Sequence, residues 1–210
     1  MSNKSLELLL GSKTRAKMLR WLFRNPDTGF SVVGFSKLVQ AKQAEVRKEI
    51  SSFKEAGIVK VRRVTIASKS SGSKKNGIRY VLNVDFDLFN ELRDLVLKSS
   101  PAEKSKMITK MNNLGLMRLS IISGIFIEKQ VPDSPSLDLF LVVDDLDRRK
   151  LRIFLKWLEA EAGKEIKYAV MDKEEFLYRL GMFDRFIRVL LEGPHEKLVD
   201  KIGLDVHLNN

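Results

Sequence analysis

Apolar residues recur at helical spacing in three consecutive stretches near the start of the chain. The spacing predicts a first helix over 14–23, which stops before a turn cluster, and a second helix over 32–39. A short turn at 40–41 precedes a third helix, which Ala56-Gly57 ends. The apolar positions of the three helices are Ala16, Leu19, Leu22, Phe23, Phe35, Leu38, Val39, Val46, Ile50 and Phe53. Three short helices with a tight turn before the third are typical of a helix-turn-helix.

Two runs rich in β-branched residues follow the third helix, at 58–66 and 78–82. The segment between them, 67–77, is rich in Ser, Gly and Lys, so we predict a β-hairpin with a cationic tip. A Gly/Ser-rich loop can also cradle a nucleotide phosphate, but that use normally requires a helix directly after the loop. A strand follows here, which favours the hairpin.

The apolar pattern changes near residue 100. A helix predicted over 87–98 has an apolar side formed by Leu88, Leu92, Leu95 and Val96. Ser100-Pro101-Ala102-Glu103 then resembles a capped helix start, with a proline at the first helical position and a reciprocating glutamate. We therefore predict two domains, 1–99 and 100–210.

Strand and helix patterns alternate in the second domain. Strands are predicted over 116–127, 137–143 and 166–171, with a helix over 147–162 and another that starts at Asp172. This alternation predicts an α/β sheet. The last apolar stretch has helical spacing and reads as core, formed by Phe176, Leu177, Leu180, Phe183, Phe186, Ile187, Leu190 and Leu191. Its arginines interleave with aromatic rings, which could instead bind single-stranded nucleic acid; the candidates for ligand or partner contacts are Arg179, Arg185 and Arg188.

The positive charge of the chain is confined to its first half. Residues 1–100 contain 20 Lys and Arg against 9 Asp and Glu, whereas residues 101–210 contain 18 of each. Clustered cations raise the local potential where a polyanion can dock. The outward side of the third helix would present Lys42, Gln43, Glu45, Arg47 and Lys48. The hairpin would add Lys60, Arg62, Lys69, Lys74, Lys75 and Arg79.

These two sets of residues predict a binding site for double-stranded DNA. The hairpin cations would mainly neutralise phosphates, while the third helix enters the major groove. Gln43 and Arg47 are the candidates for reading base edges, because Gln pairs with adenine and Arg with guanine. A solvated helix face, RNA binding and protein docking are the alternatives.

Residues 12–82 resemble the winged-helix domain of ArsR-type transcription regulators. The likeness rests on Phe35-Ser-Lys-Leu-Val, Lys42-Gln-Ala-Glu-Val-Arg-Lys-Glu-Ile50 and Phe53-Lys-Glu-Ala-Gly-Ile-Val59. The resemblance implies a regulator that binds DNA as a homodimer, paired through the helix at 87–98. Alternatively, the apolar side of that helix covers the core of its own domain. The chain has no cysteine, so the metal-sensing site of the family is not implied.

The second domain resembles the minimal nucleotidyltransferase fold. The likeness rests on Leu119-Ser-Ile-Ile-Ser-Gly-Ile-Phe126 and on Asp133-Ser-Pro-Ser-Leu-Asp-Leu-Phe-Leu-Val-Val-Asp144. In active members a Gly-Ser pair receives nucleotide phosphates, and two acids one residue apart, with a third on a later strand, hold magnesium.

This chain departs from the pattern at each of these points. The pair is inverted to Ser123-Gly124, Ser136 stands at the first acid position, and Asp138 alone matches the second. The later strand, 167–170, has no acid. We therefore expect a vestigial nucleotide site at Ser123, Gly124, Ser136 and Asp138, with no metal and no catalysis. Asp133, Asp144 and Asp145 are the acids that could substitute.

Composition excludes several other classes. Without cysteine there is no disulfide framework, and the two histidines, His195 and His207, stand alone. No secretory signal or membrane span is evident, so we expect a cytoplasmic protein. We also expect no cofactor.

The leading hypothesis is an α/β protein of two domains. A winged helix-turn-helix would bind DNA, and an inactive nucleotidyltransferase-like domain would sense a nucleotide or small-molecule effector. The alternatives are an active nucleotidyltransferase and an antitoxin-like module that binds a partner protein.

Overall fold

A computed structural model describes residues 3–67, 74–99, 101–127 and 137–204. The chain is mixed α/β, as predicted, with helices and two β-sheets. Its internal contacts divide it into two compact units. The first unit contains residues 1–99 together with 160–164, and the second contains 100–159 and 165–210.

Five helices and one hairpin form the described part of the first unit up to residue 99. They are α1 (Asn3–Leu10), α2 (Lys13–Arg24), α3 (Val32–Val39), α4 (Gln43–Glu55), β1 (Val59–Ala67), β2 (Lys74–Leu82) and α5 (Phe89–Lys98). The hydroxyl of Ser12 caps α2 and that of Ser31 caps α3, each accepting a hydrogen bond from a first-turn N–H. Gly57, with φ +75°, ends α4, so the three predicted helices are confirmed.

The predicted hairpin is present and is joined by a third short segment. β1 and β2 are antiparallel, with Val59 opposite Leu82 and Arg62 opposite Arg79. Phe30 exchanges both backbone hydrogen bonds with Tyr80, at 2.9 and 2.8 Å, which extends the sheet beside β2.

The core of the first unit is formed by the predicted apolar faces of α2, α3 and α4, with one exception. All the predicted positions are buried except Leu38, which is 47% exposed. Rings of Trp21, Phe30 and Phe35 pack edge to face or tilted, with centroids 4.1–5.9 Å apart.

The apolar side of α5 packs against this same core. Val96 is buried, and Leu92 and Leu95 are partly buried against the core. The Phe89 ring lies 5.5 Å from that of Phe23, whereas Leu88 is exposed. The apolar side of α5 therefore covers the core of its own unit. This is the alternative to pairing of two copies through α5.

Residues 160–164 complete the first unit with a buried acid. Glu161 is 2% exposed, and its Oε1 lies 3.1 Å from Lys17 Nζ and 3.2 Å from Lys13 Nζ. Arg20 donates to the backbone oxygen of Glu161 at 3.3 Å. Burial lowers the pKa of Lys17 below its ordinary value and that of Arg20 to about 10.

The second unit is built on a four-stranded sheet. Its elements are α6 (Lys104–Met111), β3 (Leu116–Ile122), a 3₁₀ turn (Gly124–Phe126), β4 (Leu139–Asp144), α7 (Arg148–Ala162), β5 (Tyr168–Met171), α8 (Lys173–Gly181), α9 (Arg185–Glu192) and β6 (Glu196–Asp200). The last three residues of α7 belong to the first unit. The strand order is β5-β4-β3-β6; β4 and β5 are parallel and the other pairs antiparallel. As predicted, β4 is buried on both faces, from Leu139 to Val143.

Two predicted boundaries in the second unit are wrong. α6 begins at Lys104, so Pro101 and Ala102, which are both buried, lie before the helix. Its N-cap, Glu103, makes no side-chain capping hydrogen bond. β3 ends at Ile122 rather than at residue 127, because the chain turns into the 3₁₀ segment at Gly124, where φ is +55°.

Candidate functional site

The outward side of α4 has the predicted character. Val46, Ile50 and Phe53 are buried, and this orientation exposes the opposite side of the helix. Its predicted contact residues are all exposed: Lys42, Gln43, Glu45, Arg47 and Lys48. Glu45 differs from the rest, because its Oε2 accepts a hydrogen bond from Thr14 Oγ1 at 2.9 Å. That acid is held against α2.

A second acid of α4 was not among the predicted residues. Glu49 is 5% exposed, and its Oε2 accepts a hydrogen bond from Arg15 Nε at 2.7 Å. The ion pair joins α2 to α4. The spacing along the sequence indicates the burial of Glu49, because position 49 lies three residues after Val46 and four before Phe53, on the same side of the helix.

One face of the hairpin brings three of the predicted cations together. Side chains alternate along a strand, so Lys60 and Arg62 share a face, and the register sets Arg79 directly opposite Arg62. Lys60 Nζ lies 2.8 Å from Asp85 Oδ2 in an exposed ion pair. Lys69 and the side chains of Lys74 and Lys75 lie outside the described residues.

Several predicted cations of α4 and of the hairpin are not neutralised by an acid. Within the described residues, Arg47, Lys48, Arg62 and Arg79 have no carboxylate partner. Like charges directly opposite each other on two strands destabilise a hairpin. The Arg62–Arg79 pair is therefore unfavourable for folding, and an anion bound between the two guanidinium groups would relieve the repulsion.

The second unit brings together three of the four predicted vestigial residues. Ser123 Oγ donates to the backbone oxygen of Leu137 at 2.6 Å, and Gly124 lies so close to Asp138 that a Cβ would collide with its Oδ1. Ser136 lies outside the described residues.

Both oxygens of the Asp138 carboxylate are bound by backbone N–H groups. Its Oδ1 accepts from the N–H of Ile125 and its Oδ2 from the N–H of Lys167, each at 3.1 Å, and the residue is 3% exposed. A carboxylate held in this way joins the 3₁₀ turn to the segment that enters β5. These two hydrogen bonds fix the orientation of the carboxylate.

Of the acids that could substitute for it, Asp144 is also held by the fold. Asp144 accepts from Arg118 Nε at 2.7 Å and from the N–H of Lys173 at 2.9 Å. These hydrogen bonds, that of Lys173 above all, lower the pKa of Asp144 below its ordinary value. Asp145 is exposed in a left-handed conformation, and Asp133 lies outside the described residues.

No metal site is evident in the part of the chain that the structure describes, since no three His, Cys, Asp or Glu side chains cluster there. His195 Nδ1 lies 2.9 Å from the oxygen of Gly193, and His207 lies outside the described ranges. Among residues 3–67, 74–99, 101–127 and 137–204, no helix is long and apolar enough to cross a bilayer.

The aromatic stretch at the end of the second unit is divided between core and surface. Phe176, Ile187 and Leu190 are buried in the core. Phe183 is 82% exposed, so its prediction as a core residue is wrong. Phe186 is also exposed, at 37%, although its ring packs against that of Phe140. Of the three predicted arginines, Arg179 pairs with Glu175 and Asp184, Arg188 pairs with Glu192, and Arg185 has no ion-pair partner among the described residues.

Comparison of the chain with protein-family models, with curated proteins and with solved structures finds no match. The function must therefore be argued from the two sites themselves.

Proposed function

We propose that the first unit is a winged helix that binds double-stranded DNA. In this proposal α4 enters the major groove, and the hairpin β1–β2 lies along the phosphate backbone as the wing. The order of elements supports it, because three helices, the last two joined by a tight turn, precede an antiparallel hairpin. The Phe30–Tyr80 pairing adds the short third strand that a winged helix uses to anchor its wing.

The observation that carries the proposal is the set of cations without carboxylate partners. Arg47 and Lys48 on α4, with Arg62 and Arg79 on the hairpin, are unpaired within the described residues. If these cations only faced solvent, acids placed among them would stabilise the surface. A binding site for a polyanion instead requires cations without acid partners.

The roles of these residues follow from their chemistry. Gln43 and Arg47 lie in the first turns of α4, the part of such a helix that reaches base edges. Lys48, Arg62 and Arg79 would contact phosphates and set affinity rather than sequence preference. The acids Glu45 and Glu49 are held by Thr14 and Arg15, which limits their repulsion of the DNA.

For the second unit we propose a nucleotidyltransferase-like domain that has lost catalysis. The order β5-β4-β3, with β4 parallel to β5 and antiparallel to β3, supports the likeness. The engagement of Asp138 by two backbone N–H groups supports the loss of catalysis. Incubation with labelled nucleoside triphosphates and magnesium tests this, and incorporation of label into the protein or a nucleic acid would overturn it.

The DNA proposal is tested by titrating the full chain into fluorescent duplex DNA and following anisotropy at several salt concentrations. We expect binding that weakens steeply with salt. Arg62→Ala with Arg79→Ala should reduce the slope of log K against log salt by about 2, since about 0.9 counterions are released per phosphate contact.

The matched control removes the same number of positive charges from the second unit. Arg149 and Arg152 are exposed on α7, and Arg149→Ala with Arg152→Ala should leave the slope unchanged. Equal effects of the two double variants, or no binding by the wild-type chain at low salt, would overturn the proposal.

A further inference from the structure

The junction between α8 and α9 places an aromatic residue where the backbone favours glycine. α8 ends in a Schellman motif, in which the N–H of Phe183 bonds the oxygen of Leu180 and the N–H of Asp184 bonds that of Arg179. Phe183 occupies the left-handed position of this motif, with φ +53°. A bulky side chain in that conformation strains the backbone.

The same chain uses glycine at the equivalent position elsewhere. At the end of α4, Gly57 has φ +75° and bonds Lys54, while Ile58 bonds Phe53, which is the same pair of hydrogen bonds. At the end of α8, by contrast, glycine stands two residues before the strained position. A Cβ at that residue, Gly181, would meet no atom within 4 Å, so glycine is not required there.

Burial against the described residues does not offset this strain at Phe183. It is 82% exposed, and its neighbours Met182 and Tyr178 are 65% and 68% exposed. Tyr178 lies in the last turn of α8, and Met182, four residues later, is the C-cap of the helix. Phe183 follows directly, and we call these three exposed, largely apolar residues the Phe183 corner; exposed apolar residues close together often mark an interaction site.

Charged residues stand at both ends of the Phe183 corner. Glu174 lies one turn before Tyr178 on the same side of α8, and Arg185 is the first residue of α9. Both are exposed, and neither has an ion-pair partner within the described residues. A surface with an acid at one end and a base at the other complements itself when a second copy is related by a two-fold axis.

We propose that the Phe183 corner is the interface at which two copies of this chain associate. Two α8 helices packed antiparallel would bury both Phe183 rings and bring Glu174 of each copy next to Arg185 of the other. The charge of the chain favours this location, because residues 101–210 have equal numbers of acids and bases whereas residues 1–100 repel a second copy. The inference concerns the second unit alone and holds whether or not the first unit binds DNA.

Sedimentation of the full chain over a range of concentrations tests the proposal. We expect a reversible dimer, and Phe183→Gly should raise its dissociation constant at least about tenfold, because aromatic side chains dominate such interfaces. The melting temperature of this variant, measured where both proteins are monomeric, should stay equal or rise, since glycine suits the left-handed position. The control Ile153→Gln changes an exposed apolar residue of α7 and should leave the constant unchanged.

Charge reversal provides the decisive arm of the experiment. Glu174→Arg and Arg185→Glu should each weaken the dimer, and the double variant should recover most of the wild-type affinity, because the exchanged charges pair again. A wild-type chain that stays monomeric, a double variant weaker than both single variants, or an Ile153→Gln effect as large as that of Phe183→Gly would overturn the proposal.

Discussion

The contacts of Asp138 are those of a structural carboxylate. Both of its oxygens accept backbone hydrogen bonds, and Gly124 approaches it too closely for any side chain. The sequence predicted that Ser123, Gly124 and Asp138 belong to one site, because the resemblance to the nucleotidyltransferase fold grouped them. It could not predict that Asp138 bonds Lys167, 29 residues later, since such a pairing depends on the parallel register of β4 and β5.

Replacement of Asp138 should therefore affect stability. In Asp138→Asn the amide keeps one oxygen acceptor but turns its NH₂ group toward the second N–H, which leaves a buried donor unsatisfied. We expect the free energy of unfolding to fall by about 1–3 kcal/mol. Urea denaturation measures this, with Asp145→Asn as the control, because Asn also tolerates the left-handed conformation of residue 145. Equal stability of the two variants would contradict the structural role.

The pH dependence of stability should include a contribution from Asp144. Hydrogen bonds from the Lys173 N–H and from Arg118 lower its pKa in the folded chain below the ordinary value of 3.8. A lowered carboxyl pKa stabilises the fold above the unfolded pKa, and this stabilisation is lost as the pH falls through the folded pKa. Asp144→Asn should thus be less stable than the wild type at neutral pH.

The difference between the two proteins should disappear at a pH well below 3.8. Urea midpoints of both proteins, measured at the two pH values, test this. A difference of the same size under acid would show that the carboxylate charge is not its cause.

At the scale of elements, the hairpin β1–β2 places two like charges opposite each other. Arg62 and Arg79 repel each other across the strands. Arg62→Thr removes the repulsion and introduces a good strand former, so the free energy of unfolding should rise by about 0.2–1 kcal/mol while DNA affinity falls. The control Arg63→Thr changes a residue opposite Ile78 and should give no such gain in stability.

Urea denaturation and anisotropy on the same preparations measure the two effects of Arg62→Thr. If the variant lost both stability and DNA affinity, the loss of affinity would be explained by damage to the hairpin. A gain in stability together with a loss of DNA affinity is expected only where the cation serves binding rather than folding.

Elements with strong local signals were predicted well, and those set by long-range packing were not. The periodicity of Val46, Ile50 and Phe53 fixed both the existence of α4 and its buried side. The start of α6 was misplaced, because burial of Pro101 and Ala102 outweighs a local capping pattern. The pairing of Lys60 with Asp85 joins residues 25 positions apart, and spacing along the sequence does not reveal it.

At the scale of the whole molecule, the proposed DNA binding divides the basic residues into two kinds of contact. Lys74→Ala with Lys75→Ala should weaken binding to all duplexes about equally and reduce the salt dependence, because these residues would contact phosphates. Arg47→Ala should change the order of preference among sequences, because its guanidinium would read a base edge.

Competition among a panel of labelled duplexes distinguishes the two outcomes. Each variant is compared with the wild type at the same salt concentration, since affinities at different salt concentrations cannot be compared. Uniform losses for both variants on every duplex would contradict the separate roles of helix and hairpin.

The membership of residues 160–164 in the first unit has a practical consequence for dissecting the protein. A fragment that stops at residue 99 lacks Glu161, so Lys13 and Lys17 lose the carboxylate that they share. It also lacks Gly163, whose oxygen accepts a hydrogen bond from the Asn25 side chain. Cutting the gene at the apparent boundary would thus yield a destabilised amino-terminal piece, and a failure of that piece to bind DNA would say nothing about the intact molecule.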